Sequence, residues 1–264
     1  MKQVITSKSN EKVKFIKSLN EKKGRQKNNC FYLEGIKVVN EVLDGIEAIN
    51  IKFIAYSKEI LQNTNGGNII LDKINRREDV LQLEFPKNIF EDLTDTKTPQ
   101  GILAVLNKPQ KNEISQEGNI LVLDRIQDAG NLGTIIRTAD AFGINQIICI
   151  DGTVDVYSPK VVRSTMGSIL RTKTIYIEDL KKLNELKNFG YEIIGTTLDK
   201  KSVFLDEIDF SKKYIFIMGN EANGISDEIK QICDIFAKIP MTENAESLNV
   251  AVATSIILYK QFKK

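Results

Sequence analysis

The apolar positions fall into two rhythms along the chain. Up to about residue 108, short helical and strand patterns are mixed. Val13, Ile16 and Leu19 recur at helical spacing. Cys30–Glu34 reads as a short strand running into a helix over Ile36–Leu43. Ile51–Tyr56 and 101–106 read as further strands, with a turn or loop over 63–68. The polar stretch 107–119, with Pro109 and Gly118, is the linker candidate. Beyond it come four near-continuous apolar runs, 120–123, 146–150, 191–195 and 214–218. Such runs suit parallel strands covered on both faces. Helical patterns over 132–142 and 180–189 lie between them. The expected fold is α/β, with a first domain over 1–108, a linker over 109–118 and a second domain over 119–264.

These strands end in small or polar residues. Asp124, Asp151-Gly152, Gly195-Thr196-Thr197 and Gly219-Asn220-Glu221 follow the four runs. Ligands of open α/β sheets gather beyond the carboxyl ends of strands, so a site is expected there.

Three segments carry candidate chemistry. Asp128–Asp140 follows a strand and opens a helix, with Asn131 at an N-cap or nearby turn position. Leu132, Ile135, Ile136 and Ala139 form its buried stripe, and Arg137 lies off it. Side chains tilt toward a helix N-terminus, which suits Arg137 to clamp a phosphate or oxyanion. A solvated surface arginine is the plain alternative. The second segment, Gly219-Asn220-Glu221-Ala222-Asn223-Gly224, has the glycine spacing of a phosphate loop. Ile225 stands where that loop needs lysine, and no G-x-G-x-x-G is present. A triphosphate- or NAD-binding enzyme is thereby disfavoured. In the third segment Ser247 and Asn249 start a helix that is apolar nearly all round through Tyr259. Such a helix is buried or forms a subunit interface, and Asn249 in its first turn needs polar partners.

Composition narrows the chemistry. The 264 residues include no histidine, which excludes imidazole bases, Ser-His and Cys-His nucleophiles and histidine-ligated zinc. Cys30, Cys149 and Cys233 form no C-x-x-C pair, so neither a disulfide framework nor a cysteine metal site is expected. With no signal-peptide core and no membrane-length apolar run, a cytoplasmic setting is expected. Formal charge is +2 overall, yet residues 1–27 hold nine lysines and arginines against Glu11 and Glu21. A basic arm containing Lys12, Lys14, Lys22, Lys23 and Arg25 points to a polyanion, most naturally nucleic acid. A solvated lysine-rich helix would look the same.

In this order the three segments resemble the SpoU (TrmH) family of SPOUT RNA 2′-O-ribose methyltransferases. The stretch Tyr157–Ser168, with Arg163, is similar to that family as well. Ile5-Thr6-Ser7, Phe31–Gly35 and Thr98–Gly101 resemble the family's ribosomal-protein-like α/β RNA-binding domain. The resemblance implies a parallel-sheet SPOUT domain with a deep trefoil knot, a homodimer, and S-adenosylmethionine (AdoMet) as cofactor. It places Thr196, Gly219, Asn220, Gly224, Ile239, Met241, Leu248 and Asn249 around the cofactor, largely through backbone atoms. Asn131, Arg137, Glu221, Ser247 and Asn249 fall on its catalytic or substrate-contact positions, and Arg163 on the RNA side. Glu243 stands where related sequences carry glycine, and would either narrow the pocket or face solvent. The substrate implied is RNA, ribosomal rather than transfer RNA because of the extra N-terminal domain. A non-enzymatic RNA-binding protein on the same fold is the alternative.

Overall fold

The computed structural model describes residues 1–45, 50–109, 113–199 and 201–263. Contacts divide the chain into two units, Met1–Gln110 with Tyr157–Leu170, and Lys111–Val156 with Arg171–Lys264.

In the first unit β1 (Lys2–Val4), β2 (Cys30–Glu34), β3 (Ile51–Tyr56), β4 (Gln82–Glu84) and β5 (Ile102–Asn107) form one sheet, ordered β1-β4-β3-β5-β2. β1, β4 and β3 run parallel, and β5 is antiparallel to β3 and β2. Successive strand residues point to opposite faces, and here both faces are buried. Phe53, Ala55, Leu103 and Val105 pack with Val13, Ile16 and Leu19 on one side. Ile54, Tyr56, Ile102 and Ala104 pack with Val39, Ile70 and Ile74 on the other.

The basic segment is not a loose arm. It folds into two helices, Glu11–Ser18 and Lys22–Asn28. Lys14, Lys22 and Lys23 are exposed, while Lys12 is half-buried with its ammonium 5.7 Å from the Phe53 ring centre. Arg25 corrects the charge reading, because it is only 3% exposed. Its Nη1 donates to the carbonyls of Leu19 (2.8 Å) and Asn20 (2.9 Å), closing the end of the preceding helix. Such a guanidinium is structural and is not presented to a polyanion.

The sequence pattern carried Tyr157–Leu170 inside the second domain, but by contact it groups with the first unit. The Tyr157 ring lies 4.7 Å from that of Phe31, and Lys108 sits 4.9 Å over it.

The second unit is a seven-stranded sheet of β6 (Ile120–Leu123), β7 (Gln146–Ile150), β8 (Lys173–Ile177), β9 (Tyr191–Thr196), β10 (Val203–Phe204), β11 (Lys213–Met218) and β12 (Ile235–Lys238). The order is β10-β12-β9-β11-β6-β7-β8, parallel throughout. Register pairs Met218 with Leu123, Ile217 with Gly195, and Ala237 with Thr196. The carboxyl ends of β6, β9, β11 and β12 are therefore level, and their following loops share one edge. Of the expected linker, residues 110–112 lie outside the described residues. Its later part is tied down, since Ser115 N–H donates to Gln146 Oε1 at 2.7 Å. Three strands were not anticipated in this unit: β8, β10 and β12.

Candidate active site

Helix Ala129–Ala141 begins at Asp128, whose Oδ1 accepts the N–H of Asn131 at 2.7 Å. Asp128 is thus the N-cap, and Asn131 sits in the first turn with its side chain free to reach outward. Helix Val250–Phe262 is capped by Asn249. Asn249 Oδ1 accepts from Ala251 N–H (2.9 Å) and Val252 N–H (3.3 Å). With its oxygen committed, Asn249 can only donate outward, and its Nδ2 meets Asn131 Oδ1 at 3.0 Å. Asn131 in turn keeps only its Nδ2, which donates to Glu221 Oε1 at 3.0 Å. Two helix starts and one strand-end loop are joined into a chain of single polarity, ending on a carboxylate. Its members lie 90 and 118 residues from Asn131 in sequence.

The loop carrying Glu221 is tightly folded. Asn220 and Gly224 exchange both backbone hydrogen bonds at 2.9 Å. Asn220 Oδ1 accepts from Ala222 and Asn223 N–H (2.9 and 3.3 Å), and its Nδ2 donates to Arg125 O at 2.8 Å. The Asn220 side chain is therefore spent on the loop. A Cβ at Gly219 would lie 2.2 Å from Gly224 C, so only glycine fits there.

One strand-end residue has a role that was not legible in the sequence. Asp124, fully buried, accepts Arg125 Nε (2.9 Å) and the N–H of Ser226 (2.6 Å). It pins the far end of the Gly219–Ser226 loop to the end of β6. Asp124→Asn replaces a charged acceptor by an amide in front of two donors. Loss of a charge-assisted hydrogen bond costs about 2 kcal/mol, so the melting temperature should fall by roughly 4–8 °C. An unchanged thermal midpoint would contradict this anchoring.

A cleft of about 650 Å³ opens at this edge of the sheet. All of Thr196, Gly219, Asn220, Gly224, Ile239, Met241, Leu248 and Asn249 line it, together with Glu221 and Ser247. Ser247 is exposed and lies before the helix rather than in it. Glu243 is exposed and outside the lining. Arg137 is exposed on the Ala129–Ala141 helix and lines neither the cleft nor the amide chain. It forms no hydrogen bond or ion pair among the described residues.

Comparison with known proteins agrees with this arrangement. The SpoU rRNA Methylase family model matches residues 118–259, and the MRM3-like substrate binding domain model matches residues 10–104. The 23S rRNA (guanosine(2553)-2'-O)-methyltransferase RlmP of Bacillus subtilis is 33% identical, over 98% of each chain. The chain belongs to the SpoU rRNA methylase family. An AdoMet-bound rRNA methyltransferase from Sinorhizobium meliloti superposes with a TM-score of 0.84 at 31% identity, covering 99% of this chain and 98% of that one. A putative RNA methyltransferase of the TrmH family from Porphyromonas gingivalis gives 0.83 at 32%, covering 96% and 97%.

The SpoU family uses AdoMet, and the cleft suits it. Ile239, Met241 and Leu248 give apolar walls. From Ile239 to Leu248 the one backbone–backbone hydrogen bond among the described residues is Ala245 N–H to Thr242 O. The remaining backbone groups of that segment are available to a purine. Glu221 and Glu246 line the cleft, which suits a sulfonium charge. Of its two lysines, Lys230 is paired with Asp227 at 2.7 Å and Lys238 lies 4.7 Å over the Phe204 ring.

Proposed function

We propose that this protein methylates a ribose 2′-hydroxyl of ribosomal RNA, as a cytoplasmic homodimer whose C-terminal segment is knotted. The observation that carries the reading is the hydrogen-bonded chain Asn249–Asn131–Glu221 beside a cleft whose lining includes every residue assigned to the cofactor. The family relationship, and the 2′-O-methyltransferase activity in the name of the Bacillus subtilis relative, support the same reaction.

Bound AdoMet supplies an activated methyl group, so no protein nucleophile is required. The residues of this chain orient the reactants and manage charge. Thr196, Gly219, Ile239, Met241 and Leu248 hold the cofactor. Glu221, fixed through Asn131, presents an acceptor to the ribose. Arg137 has no internal partner to compete for it. It clamps the phosphate beside the target ribose and offsets negative charge developing on the 2′-oxygen. A guanidinium is a poor general base. With no histidine in the chain and the guanidinium already protonated, the proton leaves to a substrate phosphate or water. Ser247 hydrogen-bonds the substrate or orders the cofactor loop.

Exposed Lys14, Lys17, Lys22 and Lys23, with Lys12, supply phosphate contacts. Neutralising these five should flatten the dependence of RNA affinity on salt, since each lost phosphate contact lowers the slope by about 0.7–0.9. An unchanged slope would refute their role. The described helices include none long and apolar enough to cross a membrane. A second copy is supported by the exposed stripe Val252 (49%), Ile256 (37%) and Tyr259 (47%) on the helix that Asn249 caps. A one-chain mass in sedimentation equilibrium would contradict the dimer.

The target is identified by mapping ribose methylation in ribosomal RNA from cells with and without this protein. One 2′-O-methyl mark should vanish in its absence. Identical maps would overturn the reading.

A further inference from the structure

A second cavity, of about 330 Å³, lies wholly within the first unit, and none of its lining residues is among those assigned above to the cofactor. Its lining includes Glu34 at the end of β2, Gln100, Val38, Val162, Arg163 and Met166. The chemistry is unusual for a structural crevice. Glu34 is nearly buried, and its oxygens accept from the hydroxyls of Thr94 (3.1 Å) and Thr96 (2.8 Å). Arg163 Nη1 is buried yet makes no hydrogen bond with the described residues. It stands 3.9 Å from Glu34 Oε2, too far for a direct hydrogen bond. A buried donor left unmet is costly, and native structures seldom tolerate one without a purpose.

The cavity thus presents a donor and an acceptor side by side, ion-paired at 3.9 Å but not hydrogen-bonded to each other. Gln100 adds a second donor, because its Oε1 is committed to the N–H of Ile36 at 2.8 Å. Val38, Val162 and the Met166 thioether give apolar surface. Met166 is half exposed and holds φ +51°, a left-handed conformation unfavourable for a residue with a Cβ.

We propose that this cavity holds an unpaired nucleobase of the substrate RNA. Every base carries an adjoining donor and acceptor on its Watson–Crick edge, the complement of a guanidinium beside a carboxylate. In a duplex that edge is already taken, so the cavity selects single-stranded nucleotides, the usual targets of base-reading RNA contacts. A bare phosphate is disfavoured, since the near-buried Glu34 carboxylate would face it. Burial also pushes the Glu34 carboxyl above its ordinary range, against the Thr96 and Thr94 hydroxyls and Arg163, which pull it down. The volume is near the lower end of small-ligand pockets, which begin at about 300 Å³.

This inference deepens the RNA reading above and rests on it for the identity of the polymer. The test uses the full chain carrying methyl-labelled methionine. The chain has four methionines. Met166 reports this cavity, and Met241 reports the cofactor cleft separately. Titration with nucleoside monophosphates should shift the Met166 methyl resonance, and ribose 5-phosphate and inorganic phosphate should not. Glu34→Gln should weaken that response about tenfold, the low end for losing one base-edge contact. The Met241 signal should stay at its wild-type position, which shows the cofactor cleft undisturbed, and a wild-type thermal midpoint shows the variant folded. Equal shifts with ribose 5-phosphate, or no Met166 shift at millimolar nucleotide, would overturn the proposal whether or not the variant folds. Methyl transfer to RNA with a silent Met166 removes this inference alone. A responsive Met166 without methyl transfer removes the proposed activity and leaves the base site.

Discussion

Arg137→Ala should lower methyl transfer to ribosomal RNA by roughly a hundred- to a thousandfold, the usual cost of one charge-stabilising group at a reacting oxygen. AdoMet affinity should be unchanged, because Arg137 does not line the cleft. The combination is diagnostic. A residue that merely supported the fold would weaken cofactor binding and thermal stability too, and an exposed side chain without internal partners has little folding role to lose. Arg137→Lys keeps the charge and loses the planar fork, so it should recover only part of the rate. Single-turnover transfer from labelled AdoMet, with calorimetry for cofactor binding, separates these effects. Full activity in Arg137→Ala would refute the assigned role.

Gly219→Ala should act at the opposite end of the machinery. The added Cβ would lie 2.2 Å from Gly224 C, 2.3 Å from Ile225 N and 2.6 Å from Gly224 O. All three are backbone atoms, so no side-chain rotation relieves the contact. The loop must open between Asn220 and Gly224, breaking their paired 2.9 Å hydrogen bonds. Strain of about 1–3 kcal/mol is typical of such overpacking. Concentrated on a loop that lines the cofactor cleft, it should weaken AdoMet binding by about five- to a hundredfold. An unchanged calorimetric Kd would mean that the loop is not the cofactor's cradle.

Much of this site was legible because parallel strands place their following loops at one edge. Each residue assigned to the cofactor came from a strand-end loop or from the segment before the last helix, and level register brings these together. The helix at Ile36–Leu43 and the strands Cys30–Glu34 and Ile51–Tyr56 have their expected bounds, since both sheet faces are buried and the apolar signal is strong. β8 and β12 were missed for the converse reason. Both are half-exposed for most of their length, and their apolar runs, Ile175-Tyr176-Ile177 and Ile235-Phe236-Ala237, are only three residues long.

The other misreadings share one physical origin. A charge count along the sequence treats every cation as solvated, yet Arg25 turns inward to close a helix end. Asn131 suits an N-cap or a nearby turn position by residue type; Asp128, three residues earlier, holds the cap, and Asn131 falls in the first turn. Asp124 looked like an ordinary strand-ending residue. Its importance lies in a hydrogen bond to Ser226, 102 residues away. Local spacing does not record such a partner. The buried Arg163 Nη1 without a hydrogen bond beside Glu34 is likewise visible only after folding.

Methyl transfer from labelled AdoMet to ribosomal RNA, followed by digestion and identification of the modified nucleoside, tests the account most directly. Label on a ribose 2′-oxygen, reduced together with AdoMet affinity in Gly219→Ala and reduced with AdoMet affinity unchanged in Arg137→Ala, is the predicted result. Label on a base, or no transfer by a chain that binds AdoMet and ribosomal RNA, would contradict it.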